Sequence, residues 1–425
     1  MTIEELYRIF LDHPVVETDT RKIQEGSIFF ALKGSNFNGN DYTQQAFKAG
    51  AAYCICDELR PFLDKRIIYV DDVLVTLQQL AKHHRQQFDI PFIAITGSNG
   101  KTTTKELIHE VLTTTFKCYT TKGNLNNHIG IPLTLLSVKK DAEIAVIEMG
   151  ANHQKEIESY CLYTKPTHGL ITNCGKAHLE GFGGEEGIKK GKGELYDYIL
   201  KTDGTIFINN DYKYLEEMSV QIRNKISYGS ADAAFIGKAK ECSQFLEIKI
   251  IKGANIDTIQ TQLAGNYNLP NVMSAVCIGK YFKVADEKIK SALEAYAPTN
   301  SRSQIIKKDT NTILLDAYNA NPSSMKVAIE NFAEMKGDNK IIILGGMMEL
   351  GQDSIKEHAD LIKMLGNYSW KQVVVAGKDF TNLPSSILQF NDAKEIAGWF
   401  KRQHFKNTSI LIKGSRSMAM EKVLE

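Results

Sequence analysis

The chain has 425 residues, with 51 basic against 50 acidic side chains and a formal net charge of +1. That length exceeds what one hydrophobic core usually serves, so two or three domains are expected, and the balanced charge gives no general electrostatic case for nucleic acid or an anionic membrane. No apolar run approaches the length that spans a bilayer and no charged segment followed by a long apolar run opens the chain, so a cytoplasmic location without membrane insertion is expected. The seven cysteines are scattered; Cys54, Cys56, Cys161, Cys174 and Cys277 sit in apolar runs that read as strands, and no second pair completes a zinc set, which points to buried thiols in a reducing compartment.

In chain order, short strand signals at Ser27–Leu32, Ala52–Cys56 and Ile67–Val70 mix with short helices, and a helix is predicted around Thr76–Gln87. From Phe92 the pattern becomes alternating strand and helix, with buried-strand candidates at Phe92–Ile95, Glu143–Glu148, Gly169–Asn173 and Thr205–Asn209. That alternation predicts an α/β fold with a largely parallel sheet covered by helices. Between Leu246 and Leu263 period-two alternation around Gly253-Ala254-Asn255 predicts a hairpin, followed by helices near Asn271–Tyr281 and Glu287–Tyr296. A polar stretch, Pro298–Ser303, reads as a linker; beyond it strands at Ile313–Leu315, Ile341–Leu344, Val373–Ala376 and Ile410–Ile412 alternate with helices as in a second doubly wound domain. The division expected is residues 1–88, 89–297 and 298–425, with no internal repeat.

The most telling stretch is Ile93–Glu106, IAITGSNGKTTTKE, where an apolar strand meets a glycine turn, a lysine and threonines. Leu107, Ile108, Val111, Leu112 and Phe116 follow at helical spacing, so the glycines fall at a strand-to-helix turn. Backbone N–H groups over Gly97, Ser98, Asn99, Gly100 and Thr103 can cradle phosphate oxygens there, Lys101 can neutralise charge and Thr102 can ligate Mg²⁺, which suits a nucleoside triphosphate. The spacing departs from the common motif, which would place glycine at Ile95. Glu148 ends a strand expected beside the loop-bearing one, in the crevice where open α/β sheets bind ligands; its plainer alternative is a helix cap or a surface acid.

Four further phrases accompany this loop: TKGNLNNHIGIP from Thr121, EIAVIEMGANHQKEI from Glu143, NCGKAHLEGFGGEEGIKKGKGEL from Asn173 and GNYNLPN from Gly265. With LLDAYNANPSSM and KGSRSMAMEKV near the end, they resemble the ATP-dependent Mur ligases of peptidoglycan synthesis, from about Thr18 onward. Within that family, GANHQKEI, AHLEGFG, DAYNANPSSM and KGSRSMAMEKV are most similar to the members that join D-alanyl-D-alanine to UDP-N-acetylmuramoyl-tripeptide, and GANHQKEI and DAYNANP argue against third-residue-adding ligases and folylpolyglutamate synthetases. A nonenzymatic nucleotide-binding regulator of the same fold is the alternative from another class. It would bind ATP and make no amide.

The resemblance implies three domains: a small α/β UDP-binding module, a central phosphate-loop ATPase and a C-terminal Rossmann-like domain that closes over the nucleotide, hinged near Pro298. It implies ATP and Mg²⁺, an acyl-phosphate intermediate, and a chain expected to be monomeric. It places Glu148 as a Mg²⁺ carboxylate and His178 as the ligand of a second cation. Lys192 matches a lysine that is carbamylated in relatives, although an unmodified lysine paired with substrate carboxylate or phosphate fits the residues equally.

Nucleotide and substrate contacts are implied for Asn124, Asn126 and Asn127. Tyr267, where many relatives carry histidine, would offer its face to adenine, with Asn268 and Asn271 supplying amide hydrogen bonds. Arg302 would reach the phosphates on closure, Asp316 would meet the ribose or organise the closed site, and Asn319 and Asn321 would shape the D-alanyl-D-alanine end. Lys413 and Arg416 could bind an anion or cap a helix, and Gly346 replaces an aspartate of many relatives. Thr20, Arg21 and the loop Lys33–Asn40, including Lys33 and Asn38, resemble the UDP-sugar segment, in which Phe37 either stacks or packs.

Overall fold

The computed structural model describes residues 1–62, 64–240, 245–299, 302–337 and 339–425, in two compact units. Asn300 and Ser301, within the expected linker, lie outside the described residues.

The first unit comprises Met1–Ile95, Phe116–Ala151 and Lys155–Gly169. Among its described residues four strands, Val16–Glu17, Ile28–Phe30, Tyr53–Cys56 and Ile67–Tyr69, pair in parallel in chain order. Cys54 and Cys56 are both buried in this sheet's core beside Phe29, Ala31 and Ala46. The first helix, Ile3–Asp12, is fixed by a capping box: Glu5 N donates to Thr2 Oγ1 (3.2 Å) and Thr2 N to the Glu5 carboxylate (2.8 Å). The predicted helix at Thr76 begins one turn earlier and spans Val73–Arg85, because Asp72 caps it; β-branched Val73 and Val75 disguise that turn in the sequence.

In the same unit, Cys118–Thr120, Ile144–Glu148 and Phe92–Thr96 lie side by side in that order, all parallel. Register pairs Ile95 with Glu148, so the acid ends the strand next to the loop-bearing strand as expected. Arg85 closes this region from below. Its guanidinium lies 3.7 Å from the Phe92 ring centroid and donates to the carbonyls of Thr164 (2.8 Å), Lys165 (2.9 Å) and Phe88 (2.8 Å), which terminates the helix Glu156–Thr164.

The second unit comprises Thr96–Thr115, Asn152–Gln154 and Leu170–Glu425. The helix Lys101–Thr113 packs on Leu269–Tyr281, and a Cβ on Gly279 would stand 2.7 Å from Val111 Cγ1, so the two helices approach to a distance only glycine permits. Phe116, expected on the first of these helices, falls beyond its end. Strands Thr205–Asn209, Asn224–Gly229 and Phe235–Ala239 pair in parallel, and Glu247–Lys252 and Thr258–Gln260 form the predicted antiparallel hairpin. Cys161 and Cys277 lie on the helices Glu156–Thr164 and Leu269–Tyr281 rather than on strands, and Cys174 lies in the loop after His168–Ile171. Short apolar runs do not separate a buried helix from a strand.

Six described strands form the C-terminal sheet in the order Gln304–Lys308, Asn311–Asp316, Ser409–Lys413, Lys340–Gly345, Gln372–Ala376, Ile387–Phe390. Only the first pair is antiparallel. Ile313, Leu315, Ile341, Ile343, Val374, Ile410 and Ile412 fill its core with helix residues such as Ile396. The α/β class with parallel-dominated sheets is the one expected from the sequence.

Candidate active site

The phosphate loop is built by two glycines that nothing else can replace. Gly97 has φ +140° and Gly100 φ +80°, and a Cβ at these positions would stand 2.0 Å from Thr172 Oγ1 and 2.7 Å from Asn271 Oδ1. The turn is then pinned from the strand-end segment that follows His168–Ile171. Ser98 N donates to Asn173 O (2.8 Å), Asn99 N to Asn173 Oδ1 (3.1 Å) and Thr172 Oγ1 to Asn99 O (2.7 Å), while Ser98 Oγ donates to Gly175 O (2.6 Å).

Gly100 opens the helix Lys101–Thr113 without a side-chain cap, and no acid stands in the first turn, so its N–H groups present a positive end to an anion. Lys101 Nζ donates to Gly97 O and Ser98 O, which places its charge over the same turn. Thr102 and Thr103 are buried. This preformed cradle of backbone donors with one ammonium group suits the phosphates of a nucleotide.

Beside the loop, Asn271 and Asn268 are buried at the start of Leu269–Tyr281. Asn271 accepts from Thr104 Oγ1 (3.1 Å) and donates to Asn268 Oδ1 (2.9 Å), and Asn268 donates to Ala264 O (2.8 Å). Their amides thus brace the loop helix. Tyr267, Ser303, Asp316 and Lys413 form one polar chain: Tyr267 Oη meets Ser303 Oγ (2.7 Å), Ser303 N donates to Asp316 Oδ1 (3.2 Å) and Lys413 Nζ to Asp316 Oδ2 (2.6 Å). Lys413 is 2% exposed and also donates to Asn319 O (3.1 Å), so it pairs an acid and fixes the loop bearing Asn319 rather than capping a helix. Burial raises the Tyr267 phenol. The Arg302 guanidinium lies 3.5 Å from the Tyr318 ring centroid, and its buried Nε has no hydrogen-bond acceptor among the described residues. Asn321 caps the helix Pro322–Glu334 and donates from Nδ2 to Asn99 Oδ1 (2.8 Å), which ties the C-terminal sheet's first helix directly to the phosphate loop.

His178 begins the short helix Leu179–Phe182 and pairs through Nδ1 with Glu349, whose carboxyl is held below the usual range by that imidazole. Lys192, on the helix Glu185–Lys201, is 1% exposed, with Nζ 4.8 Å from the Phe182 ring centroid. Its neighbour Lys189 instead pairs with Glu186 at the surface (2.6 Å).

In the first unit Glu148 is 1% exposed. Its carboxylate accepts from Asn126 Nδ2 (2.7 Å) and its N–H donates to Thr121 Oγ1 (3.0 Å). Asn127 Oδ1 accepts from Gly130 N (2.8 Å) at the start of the helix Gly130–Leu136, and Asn124 is exposed. The tiny hairpin of Lys33–Gly34 with Phe37–Asn38 replaces the expected plain loop. Lys33 pairs with Asp57 (3.1 Å) and Glu58 (3.2 Å), Asn38 donates to Glu58 (2.9 Å), and Phe37 is exposed. Hydrogen bonds from Asn38, Arg60 and Lys33 pull the Glu58 carboxyl down to about 2. Arg21, next to Thr20, is paired with Asp19 (2.7 Å).

Sequence reasoning did not single out Lys176, Ser323, Glu349 or Glu357, all of which contact the segment around His178. Lys176 N donates to Ser323 Oγ (2.7 Å) and Lys176 Nζ to Glu357 (2.9 Å). Glu357 lies on an amphipathic helix, where an acid reads as a solvated surface group.

Among the described residues, no group of three or more His, Cys, Asp and Glu side chains could hold a metal ion by itself, and no helix is long and apolar enough to cross a membrane. Mg²⁺ takes few protein ligands and completes its shell with phosphate and water, so a buried carboxylate such as Glu148, 1% exposed, fits it without such a group.

Three family descriptions match the chain: the Mur ligase family catalytic domain over residues 14–85, the Mur ligase middle domain over 95–279 and the Mur ligase glutamate ligase domain over 301–416. The UDP-N-acetylmuramoyl-tripeptide–D-alanyl-D-alanine ligase of Bacillus subtilis (strain 168) is 34% identical over 96% of this chain and 92% of its own length. A crystal structure of MurF from Acinetobacter baumannii superposes with a TM-score of 0.87 at 30% identity, covering 96% of this chain and 92% of that one. MurF ligase from Thermotoga maritima in complex with ADP gives a TM-score of 0.86 at 26% identity, covering 96% of each chain. On these matches and this fold, the chain belongs to the Mur ligase family.

Proposed function

We infer that this protein is an ATP-dependent amide ligase that joins D-alanyl-D-alanine to UDP-N-acetylmuramoyl-tripeptide, yielding ADP, phosphate and the UDP-muramoyl-pentapeptide of peptidoglycan synthesis. The observation that carries the reading is the phosphate loop closed by Gly97 and Gly100 under Lys101, in a chain that matches a ligase of that name over 96% of its length.

A carboxylate and an ammonium group do not condense in water. The tripeptide carboxylate therefore attacks the γ-phosphorus of ATP, the bond to ADP breaks, and an acyl phosphate forms; the free amine of D-alanyl-D-alanine then attacks the carbonyl carbon and phosphate leaves. The chain's part is to position groups and compensate charge: the loop N–H groups and Lys101 hold the phosphates, and Arg302 adds a cation from the C-terminal sheet. Asn268 and Asn271 with Tyr267 form the nucleotide side, Asp316 organises the Arg302 segment through Ser303, and Asn319 and Asn321 border the amine-bearing substrate. Thr20, Arg21, Lys33 and Asn38, with Asn124, Asn126 and Asn127, belong to the UDP-muramoyl-peptide side. Thr102 and Glu148 would hold one Mg²⁺, and His178 and Lys192 a second. When bound, these ions neutralise charge on the transferring phosphoryl group.

The division at residues 88 and 297 into UDP-binding, ATPase and ligase modules belongs to the same reading, as do a cytoplasmic location and a monomeric state. The test is phosphate release from ATP and Mg²⁺ with UDP-muramoyl-tripeptide, with and without D-alanyl-D-alanine, and the mass of the product. Pentapeptide formed only with all components supports the reading. ATP turnover without amide formation, or a product carrying a single added amino acid in place of the dipeptide, overturns it.

A further inference from the structure

Asn40 is 1% exposed, and both polar atoms of its amide are engaged. Its Nδ2 donates to Asp57 Oδ1 (2.8 Å) and Asn38 Oδ1 (2.9 Å), and its Oδ1 accepts from Asp57 N (3.2 Å) and Glu58 N (3.3 Å). Two backbone donors on one side and a carboxylate on the other fix which way the amide points. The strands Ile28–Phe30 and Tyr53–Cys56 are parallel neighbours, so the segments leaving their carboxyl ends emerge side by side, at the end of such a sheet where ligands bind. Asn40 joins those two segments. On the first it holds Asn38, which closes the hairpin of Lys33–Gly34 with Phe37–Asn38. On the second it holds Asp57 and Glu58, which pair Lys33 at 3.1 and 3.2 Å, while Glu58 also accepts from Asn38 Nδ2 (2.9 Å). Within the hairpin a Cβ on Gly34 would stand 2.5 Å from Phe37 Cε1, so the ring rests on the glycine and is still 55% exposed.

We propose that Asn40 is a positioning residue for the nucleotide end of the UDP-bearing substrate: it locks the hairpin that presents Phe37 onto the two acids after Tyr53–Cys56, so that the ligand meets a preformed edge. Lys33 is already paired by those acids, so the hairpin recognises its ligand through a fixed shape, and Asn40 supplies the fixing. An aspartate at this position has the same shape but places an oxygen where the amide donates, facing the oxygens of Asp57 and Asn38. The inference rests on the reading of Lys33–Asn40 as part of the UDP-muramoyl-peptide side.

The test uses the full chain with UDP-N-acetylmuramoyl-tripeptide, read by calorimetric titration, steady-state kinetics and amide hydrogen exchange. In the wild type this ligand should protect the amides of Lys33–Asn40 from exchange. Asn40→Asp should weaken its binding about tenfold and raise its KM to match, with kcat and ATP affinity unchanged, and the free variant should exchange faster over Lys33–Asn38. Asp57→Asn removes the acceptor of Asn40 Nδ2 while its remaining oxygen can still meet Lys33, so it should give a smaller loss; it also covers the case in which Asn40→Asp does not fold. In the double variant the amide and the carboxylate have changed places, and it should bind better than Asn40→Asp. Leu6→Ala opens a cavity at a side chain 1% exposed in the same compact unit, and should lower the melting temperature without changing affinity. Wild-type affinity in folded Asn40→Asp or in Asp57→Asn, no recovery in the double variant, or an equal loss in Leu6→Ala overturns the role of Asn40. Binding to the wild type without protection of Lys33–Asn40 sinks the reading of that segment itself.

Discussion

Gly97→Ala puts the phosphate-loop argument at greatest risk. The added methyl would stand 2.0 Å from Thr172 Oγ1 and about as close as contact allows to Asn173, at 3.0 Å from its O and 3.1 Å from its N, on a backbone with φ +140°. A side chain in that conformation costs about 1–3 kcal/mol. The methyl also has to displace the Thr172 hydroxyl, which donates to Asn99 O at 2.7 Å and lies 3.3 Å from Thr96 O, a loss of about 1 kcal/mol for the better bond. Together these give about 3 kcal/mol, which is roughly a hundredfold in affinity if the loop deforms and the rest of the fold holds. Calorimetric titration with ATP, alongside a thermal melt to check folding, measures it directly. Thr172→Ala as background separates the two contributions: the clash disappears while the backbone strain stays, so Gly97→Ala should weaken binding less there than in the wild type. A folded Gly97→Ala protein that binds ATP with wild-type affinity would refute the loop geometry as the source of nucleotide binding.

Arg85→Ala should destabilise the protein by about 3 kcal/mol in denaturant unfolding, because the carbonyls of Thr164, Lys165 and Phe88 lose a charged donor together; a change below about 0.5 kcal/mol would contradict that. Burial lowers His168 from 6.5 to about 4, so the unfolded chain takes up a proton below pH 6.5 that the folded chain refuses until pH 4. Its contribution is therefore fully present above pH 6.5, falls on the order of 3 kcal/mol as pH drops to 4 and is flat below, and His168→Asn should flatten that part of the stability profile; an unchanged slope would count against it. Lys192, almost wholly buried against Phe182, is either carbamylated or a cation. If carbamylated, the activity of Lys192→Ala should be partly restored by acetate; restoration by a small amine but not acetate would leave Lys192 as a charge-compensating group.

Local signals in the sequence located most elements and the loop. Phe92–Ile95 is an unbroken apolar run before Gly97, and the strand found there is buried at every position. The strands Asn224–Gly229, Gln304–Lys308 and Ile387–Phe390 escaped notice because few of their positions are buried, the last two being the edges of their sheet, and so they mix lysine, asparagine and glutamine with isoleucine. Side-chain partnerships were less visible still. Asn126 and Asn321 read as substrate contacts, yet in the fold one holds Glu148 and the other caps a helix while bonding Asn99, 222 positions away. No periodicity encodes a pairing at that separation. The pairing of His178 with Glu349 likewise depends on two positive φ angles that only the folded chain displays.

The fate of one oxygen atom tests the central account most directly. With ¹⁸O in the terminal carboxylate of UDP-muramoyl-tripeptide, attack on the γ-phosphorus followed by displacement with D-alanyl-D-alanine carries one labelled oxygen into the released phosphate, leaving the other in the new amide. Mass spectrometry of the phosphate should show one ¹⁸O per amide formed, with ADP as the nucleotide product. Unlabelled phosphate, or label recovered in AMP, would contradict activation of the carboxylate by γ-phosphoryl transfer and with it the function assigned to the loop at Gly97–Thr103.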